Sequence, residues 1–135
     1  MARMLDTNVL LDILTADPQW LEWSQAQFRK AAAEGPIAIN PILYAELAAA
    51  LGSREELDHW LRPTLFKRLP LPYEAGFRAS RAFLAYRRAG GSRTSPLPDF
   101  YIGAHAEQAN LVLVTRDVAR YRTYFSKVKL ITPKD

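Results

Sequence analysis

The chain has no cysteine in its 135 residues. That excludes disulfides, thiolate metal sites and cysteine nucleophiles, and it fits a reducing compartment. Histidine is scarce too: His59 and His105 offer no suitable pair of imidazole ligands. No apolar run approaches the roughly 18 residues a membrane span needs. The N-terminal Met-Ala-Arg-Met-Leu is cut short by Asp6, which argues against a signal peptide. The expectation is a cytoplasmic protein with no membrane contact. A Gly-x-Gly-x-x-Gly fingerprint is missing, so dinucleotide binding is poorly supported. There is no internal repeat, low-complexity tract or linker, so residues 1–135 read as one domain.

What is present is enough apolar chain for a real core. Apolar residues make up 49% and charged residues 24%, which argues against a disordered chain. The formal charge of +4 fits a polyanionic partner, and fits equally a merely soluble basic surface.

The organising stretch is Leu97 to Asp117. Pro98-Asp99 is a helix start, and Asn110 suits the helix end. Leu111 to Val114 then form a continuous apolar run, as in a strand buried on both faces. About 11 helical residues descend roughly 16 Å, and about five strand residues climb back the same distance. Asp99 and Asp117 therefore return to one end of the domain.

The other segments repeat this alternation. Met4-Leu5, Ile37 to Ile39, Leu65 to Leu69 and Val128 to Ile131 read as strands. Asp6-Thr7-Asn8, Asp17-Pro18, Asn40-Pro41 and Ser53 with Glu56 read as helix starts. The helix from Asn40-Pro41 is expected to run to Gly52, and another to span Glu74 to Ala89. Gly90 to Pro96 is a loop whose composition suits phosphate. A short helix through Tyr121 and Tyr124 precedes the last strand. The expected fold is α/β, a three-layer α/β/α sandwich around a parallel sheet of four or five strands.

Right-handed crossovers bring every strand end, and the start of every following helix, to one rim. Asp6, Glu46, Asp99 and Asp117 all approach that rim. Each has a simpler reading alone. Asp6 and Asp117 can cap helices, Asp99 can complement a helix dipole, and Glu46 can be a solvated helix residue. Capping gives no reason for all four to meet. Clustered carboxylates need protons or cations, and an all-oxygen set favours Mg²⁺ or Mn²⁺. Such ions activate water for phosphodiester hydrolysis. Thr7, Asn8, Thr115 and Arg116 are candidates for supporting that site or contacting substrate.

Leu5-Asp6-Thr7-Asn8-Val9-Leu10, Asn40 to Leu47 with Glu46 inside it, Pro98 to Ala106, and Leu113-Val114-Thr115-Arg116-Asp117 stand in a specific order. Together they resemble the PIN-domain family, and within it the VapC-type toxins of toxin–antitoxin pairs. The resemblance covers essentially the whole chain. It implies a Mg²⁺- or Mn²⁺-dependent endoribonuclease that cuts single-stranded or loop RNA such as tRNA or rRNA. The family's motif acids fall on Asp6, Glu46, Asp99 and Asp117, as catalytic residues and metal ligands. It also implies a homodimer, a small VapB-type antitoxin and a larger toxin–antitoxin assembly.

Two other classes compete. A non-catalytic RNA-binding module would share the basic surface but have no need of the acids. A phosphoacceptor domain would want an adjacent acid pair after the first strand and a lysine near Thr115, and neither is present. Arg87, Arg88 and Arg93 can hold phosphates or simply be solvated. Arg116 is placed to meet substrate or an antitoxin carboxylate. Tyr121 and Tyr124 read as packing residues, with base stacking as the alternative. His59 and His105 read as packing or surface residues, and Phe100 as the anchor of the Asp99 helix.

Overall fold

A computed structural model describes residues 2–93 and 97–133. Thr94, Ser95 and Pro96 of the expected glycine-rich loop lie outside the described residues. Five short strands form one parallel sheet: β1 (Arg3–Leu5), β2 (Ile37–Ile39), β3 (Phe66–Arg68), β4 (Val112–Val114) and β5 (Lys129–Ile131). Successive strand residues face opposite sides of a sheet. Met4 and Leu5, Ile37 to Ile39, and Leu113 and Val114 are all buried. Both faces of the central strands are therefore covered.

The described residues form seven helices: α1 (Thr7–Leu14), α2 (Leu21–Glu34), α3 (Pro41–Ala48), α4 (Arg54–Trp60), α5 (Tyr73–Arg88), α6 (Pro98–Gln108) and α7 (Val118–Tyr124). The expected α/β architecture is present, with five strands rather than four.

Most local start and stop signals act as expected. Asn40 Oδ1 accepts from Leu43 N at 2.9 Å, with Pro41 in the first turn of α3. Ser53 Oγ accepts from Glu56 N at 3.1 Å. Asn110 adopts a left-handed φ of 56°, and Leu111 N reaches back to Ala106 O at 2.9 Å. That contact closes the end of α6 and turns the chain into β4.

Two boundaries differ. The Asp17-Pro18 signal does not open α2 directly. Asp17 Oδ1 accepts from Gln19 N and Trp20 N, so it caps a turn, and the helix begins at Leu21. The α3 helix stops at Ala48 rather than at Gly52. Ala50 N bonds to Leu47 O at 3.0 Å, a tighter turn that ends the helical ladder.

An aromatic cluster fixes α6. Phe100 is fully buried, with ring centroids 5.6 Å from Tyr86, 5.8 Å from Tyr124, 6.1 Å from Phe83 and 6.2 Å from Phe125. Gly103, one turn on, faces Phe125 so closely that an added Cβ would lie 2.6 Å from the ring. The aromatic wall and the bare backbone at Gly103 together set how deep α6 sits.

His105 is buried on α6, with Nδ1 3.0 Å from Asn40 Nδ2. Asn40 Oδ1 is already occupied by Leu43 N, so the Asn40 amide donates to Nδ1. The neutral ring then carries its proton on Nε2. Burial lowers the His105 pKa below its ordinary 6.5. The unfolded chain takes up a proton first as pH falls, so this contribution is complete above about pH 6.5 and is lost below it. We expect the melting temperature to fall on acidification from pH 7.5 to 5.5. The loss should be no more than about 1.4 kcal/mol per pH unit, and His105→Gln should flatten it. An identical slope in the variant would contradict this assignment.

The sheet order is β3-β2-β1-β4-β5. The chain builds outward from β1 to β3, then crosses back and continues from the other side of β1. The switch point lies between β1 and β4, and open α/β sheets place ligand sites at the strand ends there.

Candidate active site

Asp6 follows β1 and Thr115 follows β4. Leu5 pairs with Val114, and Asp6 N donates to Val114 O at 2.9 Å, so the two residues meet at the switch point. Asp6 is buried. Its Oδ1 accepts from Thr7 N at 2.8 Å. Its Oδ2 accepts from Thr115 Oγ1 and from the Tyr121 hydroxyl, each at 2.9 Å, with Asn8 Nδ2 at 3.4 Å. Burial raises the Asp6 pKa above its ordinary 3.8; the hydrogen bonds oppose this and the nearby Glu46 charge adds to it.

Glu46 arrives on α3, and Thr7 Oγ1 donates to its Oε1 at 2.6 Å. Thr7 therefore ties Asp6 to Glu46, with its backbone on one acid and its hydroxyl on the other. Asp99 lies in the first turn of α6 and is half-buried. Asp117 stands at the N-cap of α7, yet its side chain makes no capping bond there. Its backbone N donates instead to Thr115 Oγ1 at 3.0 Å. Asp117 is exposed at the rim.

The Tyr121 hydroxyl lies within reach of several of these charges. Its pKa is pushed well above 10, first by burial and then by the charges of Asp6 and Asp99, with a smaller push from Asp117. The phenol stays protonated and donates. One buried hydroxyl thus feels three of the acids, and the fourth, Glu46, acts on Asp6.

Asn8 and Arg116 are also brought to the rim, in supporting positions. Asn8 Nδ2 lies 3.3 Å from Thr115 Oγ1, and Asn8 Oδ1 accepts from Arg116 N at 3.2 Å. The start of α1 is thereby fastened to the loop after β4. The Arg116 guanidinium is held away from the acids by a two-pronged pair with buried Asp12, at 2.8 and 2.9 Å. It also stacks over Trp20, 5.0 Å from the ring centroid. Asp12 accepts from Ser24 Oγ at 2.7 Å as well, so it joins α1, α2 and the β4–α7 loop.

Sequence reasoning missed Asp12 and took Tyr121 for packing. Asp12 had a signal, an acid inside the apolar run Val9 to Leu14. Tyr121 had a weaker one, lying four residues after Asp117 on the same helical face. Arg87 donates to the Arg93 carbonyl, folding the described part of the glycine loop back onto α5.

Among the described residues, no three acids converge closely enough to hold an ion unaided. The donor set nevertheless fits a hard cation. It is all oxygen, with His105 committed to Asn40 and His59 exposed on α4. Mg²⁺ commonly binds through one or two carboxylates and keeps several waters. A groove of about 800 Å³ opens nearby, lined by Tyr44, Leu57, Arg68 and Leu69 among others, and none of the four acids lines it.

The sequence model of the PIN domain matches residues 3–126, which carry all these side chains. The chain belongs to the PIN-domain family. PIN domains are a nuclease family. Solved structures similar to this PIN chain include VapBC2 from Rickettsia felis bound to a promoter DNA fragment. That match has a TM-score of 0.73 at 20% identity and covers 98% of both chains. VapBC-1 from nontypeable Haemophilus influenzae matches with a TM-score of 0.71 at 19% identity over 100% of both chains. FitAcB from Neisseria gonorrhoeae matches at 0.69 and 24% identity over 97% of both. At these identities the likeness shows the shared fold. No curated protein sequence matches the chain.

Proposed function

We propose that this PIN domain is the toxin of a toxin–antitoxin pair, a Mg²⁺- or Mn²⁺-dependent endoribonuclease acting on RNA such as tRNA or rRNA. The observation that supports the reading is that Thr7 bonds both Asp6 and Glu46 at the switch point, with the charges of Asp99 and Asp117 acting on the Tyr121 hydroxyl that donates to Asp6. A buried carboxylate beside a second acid is costly, and a bound cation would offset that cost. When bound, such an ion supplies the acidity that turns water into a nucleophile and steadies the phosphate oxygens.

The protein's own share is positioning. Asp6 is held by four donors, Glu46 is held by Thr7, and Asp99 projects from the first turn of a helix whose core anchor is the adjacent Phe100. Asp117 is free of capping duty and open to solvent at the edge. The exposed Arg87, Arg88 and Arg93 flank the glycine loop and are placed to draw in a phosphate backbone.

The partner reading draws on the similar folds seen in VapBC and FitAB complexes. A VapB-type antitoxin is the proposed inhibitor, in a cytoplasmic assembly. No helix among the described residues is long and apolar enough to cross a membrane. Exposed Tyr73, Phe77 and Leu84 share a face of α5, which supports self-association into a homodimer.

Cleavage of single-stranded RNA, with and without added Mg²⁺ or Mn²⁺, tests the enzyme reading. Wild type should cut only with metal, and Asp99→Asn should lose at least about a hundredfold in rate. Equal cleavage by both proteins would sink the catalytic role. RNA binding without any cleavage would favour the non-catalytic module instead.

A further inference from the structure

The Tyr121 side chain is wholly buried, yet its hydroxyl ends on the acid at the switch point. A tyrosine used only for packing would be replaceable by phenylalanine. Here the oxygen has a defined partner, Asp6 Oδ2, 115 residues away in sequence. That carboxylate oxygen also accepts from Thr115 Oγ1 at the same 2.9 Å. Two short bonds use both lone pairs of Oδ2. Oδ1 accepts one short bond, from Thr7 N, and keeps a lone pair.

We propose that Tyr121 is a positioning residue: with Thr115 it locks Asp6 Oδ2, so that Asp6 offers Oδ1 to a divalent cation. The inference rests on the metal-site reading above and adds a residue and an orientation to it. The reason is mechanical. A carboxylate held at Oδ2 by two hydroxyls and at Oδ1 by Thr7 N has lost its freedom to rotate, and an ion taking the remaining lone pair of Oδ1 meets a preorganised ligand. Outer partners of this kind typically change metal affinity 10–100-fold when removed. The ring is held in the core by its own burial, and α7 carries it one turn below Asp117. The hydroxyl is therefore placed by the fold rather than by the ion.

The test measures Mn²⁺ binding by titration calorimetry and by electron paramagnetic resonance of the free ion. Wild type, Asp6→Ala and Tyr121→Phe are compared, and folding is checked by near-ultraviolet circular dichroism. Asp6-dependent binding in wild type, weakened about tenfold in a folded Tyr121→Phe protein, is the expected result. Raising Mn²⁺ tenfold should then restore RNA cleavage by the variant. Unchanged or tighter binding in folded Tyr121→Phe overturns the inference and leaves the metal site standing. Wild-type binding that ignores Asp6→Ala, or no binding at all, removes both. If Tyr121→Phe does not fold, Thr115→Ala opens Oδ2 from its other side. It should weaken Mn²⁺ binding to a similar degree, and wild-type affinity there would overturn the inference.

Discussion

Asp6→Asn is expected to abolish cleavage and to make the protein more stable. The two effects share one cause. Asp6 is 5% exposed, and burial with a second acid nearby raises its pKa. The folded state therefore favours the protonated form. The stability this lends is complete below about pH 3.8 and is lost as pH rises through the folded value. Wherever it is ionised, the buried carboxylate is a strain on the fold. Asparagine keeps the acceptor for Thr7 N, and the Thr115 and Tyr121 hydroxyls can turn to accept from its amide. The gain should be about 1–2 kcal/mol, or roughly 3–8 °C in melting temperature at pH 7. It should shrink as pH falls and the wild-type acid takes up its proton. Activity should fall at least about a thousandfold, or ~4 kcal/mol in barrier, because a neutral amide is a poor ligand for a hard cation. Thermal melts at pH 7 and pH 4, run beside a metal-saturated cleavage assay, check both halves. A destabilised, inactive variant would mean that Asp6 is a structural cap and nothing more.

The second large effect is expected at Phe100. Its ring touches four other aromatic rings and has no exposed surface. Phe100→Ala leaves a cavity walled by rigid rings that cannot collapse into it, so the loss should be about 3–5 kcal/mol. Against a typical total of about 5–15 kcal/mol, that brings the protein near its threshold. The melting temperature should drop by roughly 10–20 °C. Phe100→Leu, which retains much of the volume, should cost less than about half as much. Because Asp99 is the adjacent residue, the alanine variant should also lose cleavage below its melting temperature. A Phe100→Ala protein as stable as Phe100→Leu would show that the cluster does not anchor α6.

Much of the fold around the candidate site was legible because its signals are local. Asn40 capping α3, Ser53 capping α4 and Asn110 ending α6 each act within five residues. The placement of Asp6 and Asp117 just after strands followed from apolar runs and rise per residue. Local signals also explain the misread boundaries. Asp17-Pro18 has the composition of a helix cap but closes a turn first, and nothing in composition separates the two. The role of Arg116 was not legible. Its sequence neighbours point it toward the acids, whereas Asp12, 104 residues away, takes the guanidinium.

By itself the sequence determined the kinds of element and most of their caps, and it placed Asp6 and Asp117 after strands and Asp99 at a helix start, since hydrogen bonding and burial periodicity act over a few residues. Tertiary structure alone decided that β1 lies beside β4 rather than at an edge, which brings Asp6 to Thr115 and Tyr121. The physical reason is that strand order depends on how whole helices share the two faces of the sheet. That competition is settled by packing across more than a hundred residues, and no short stretch of chain records its outcome.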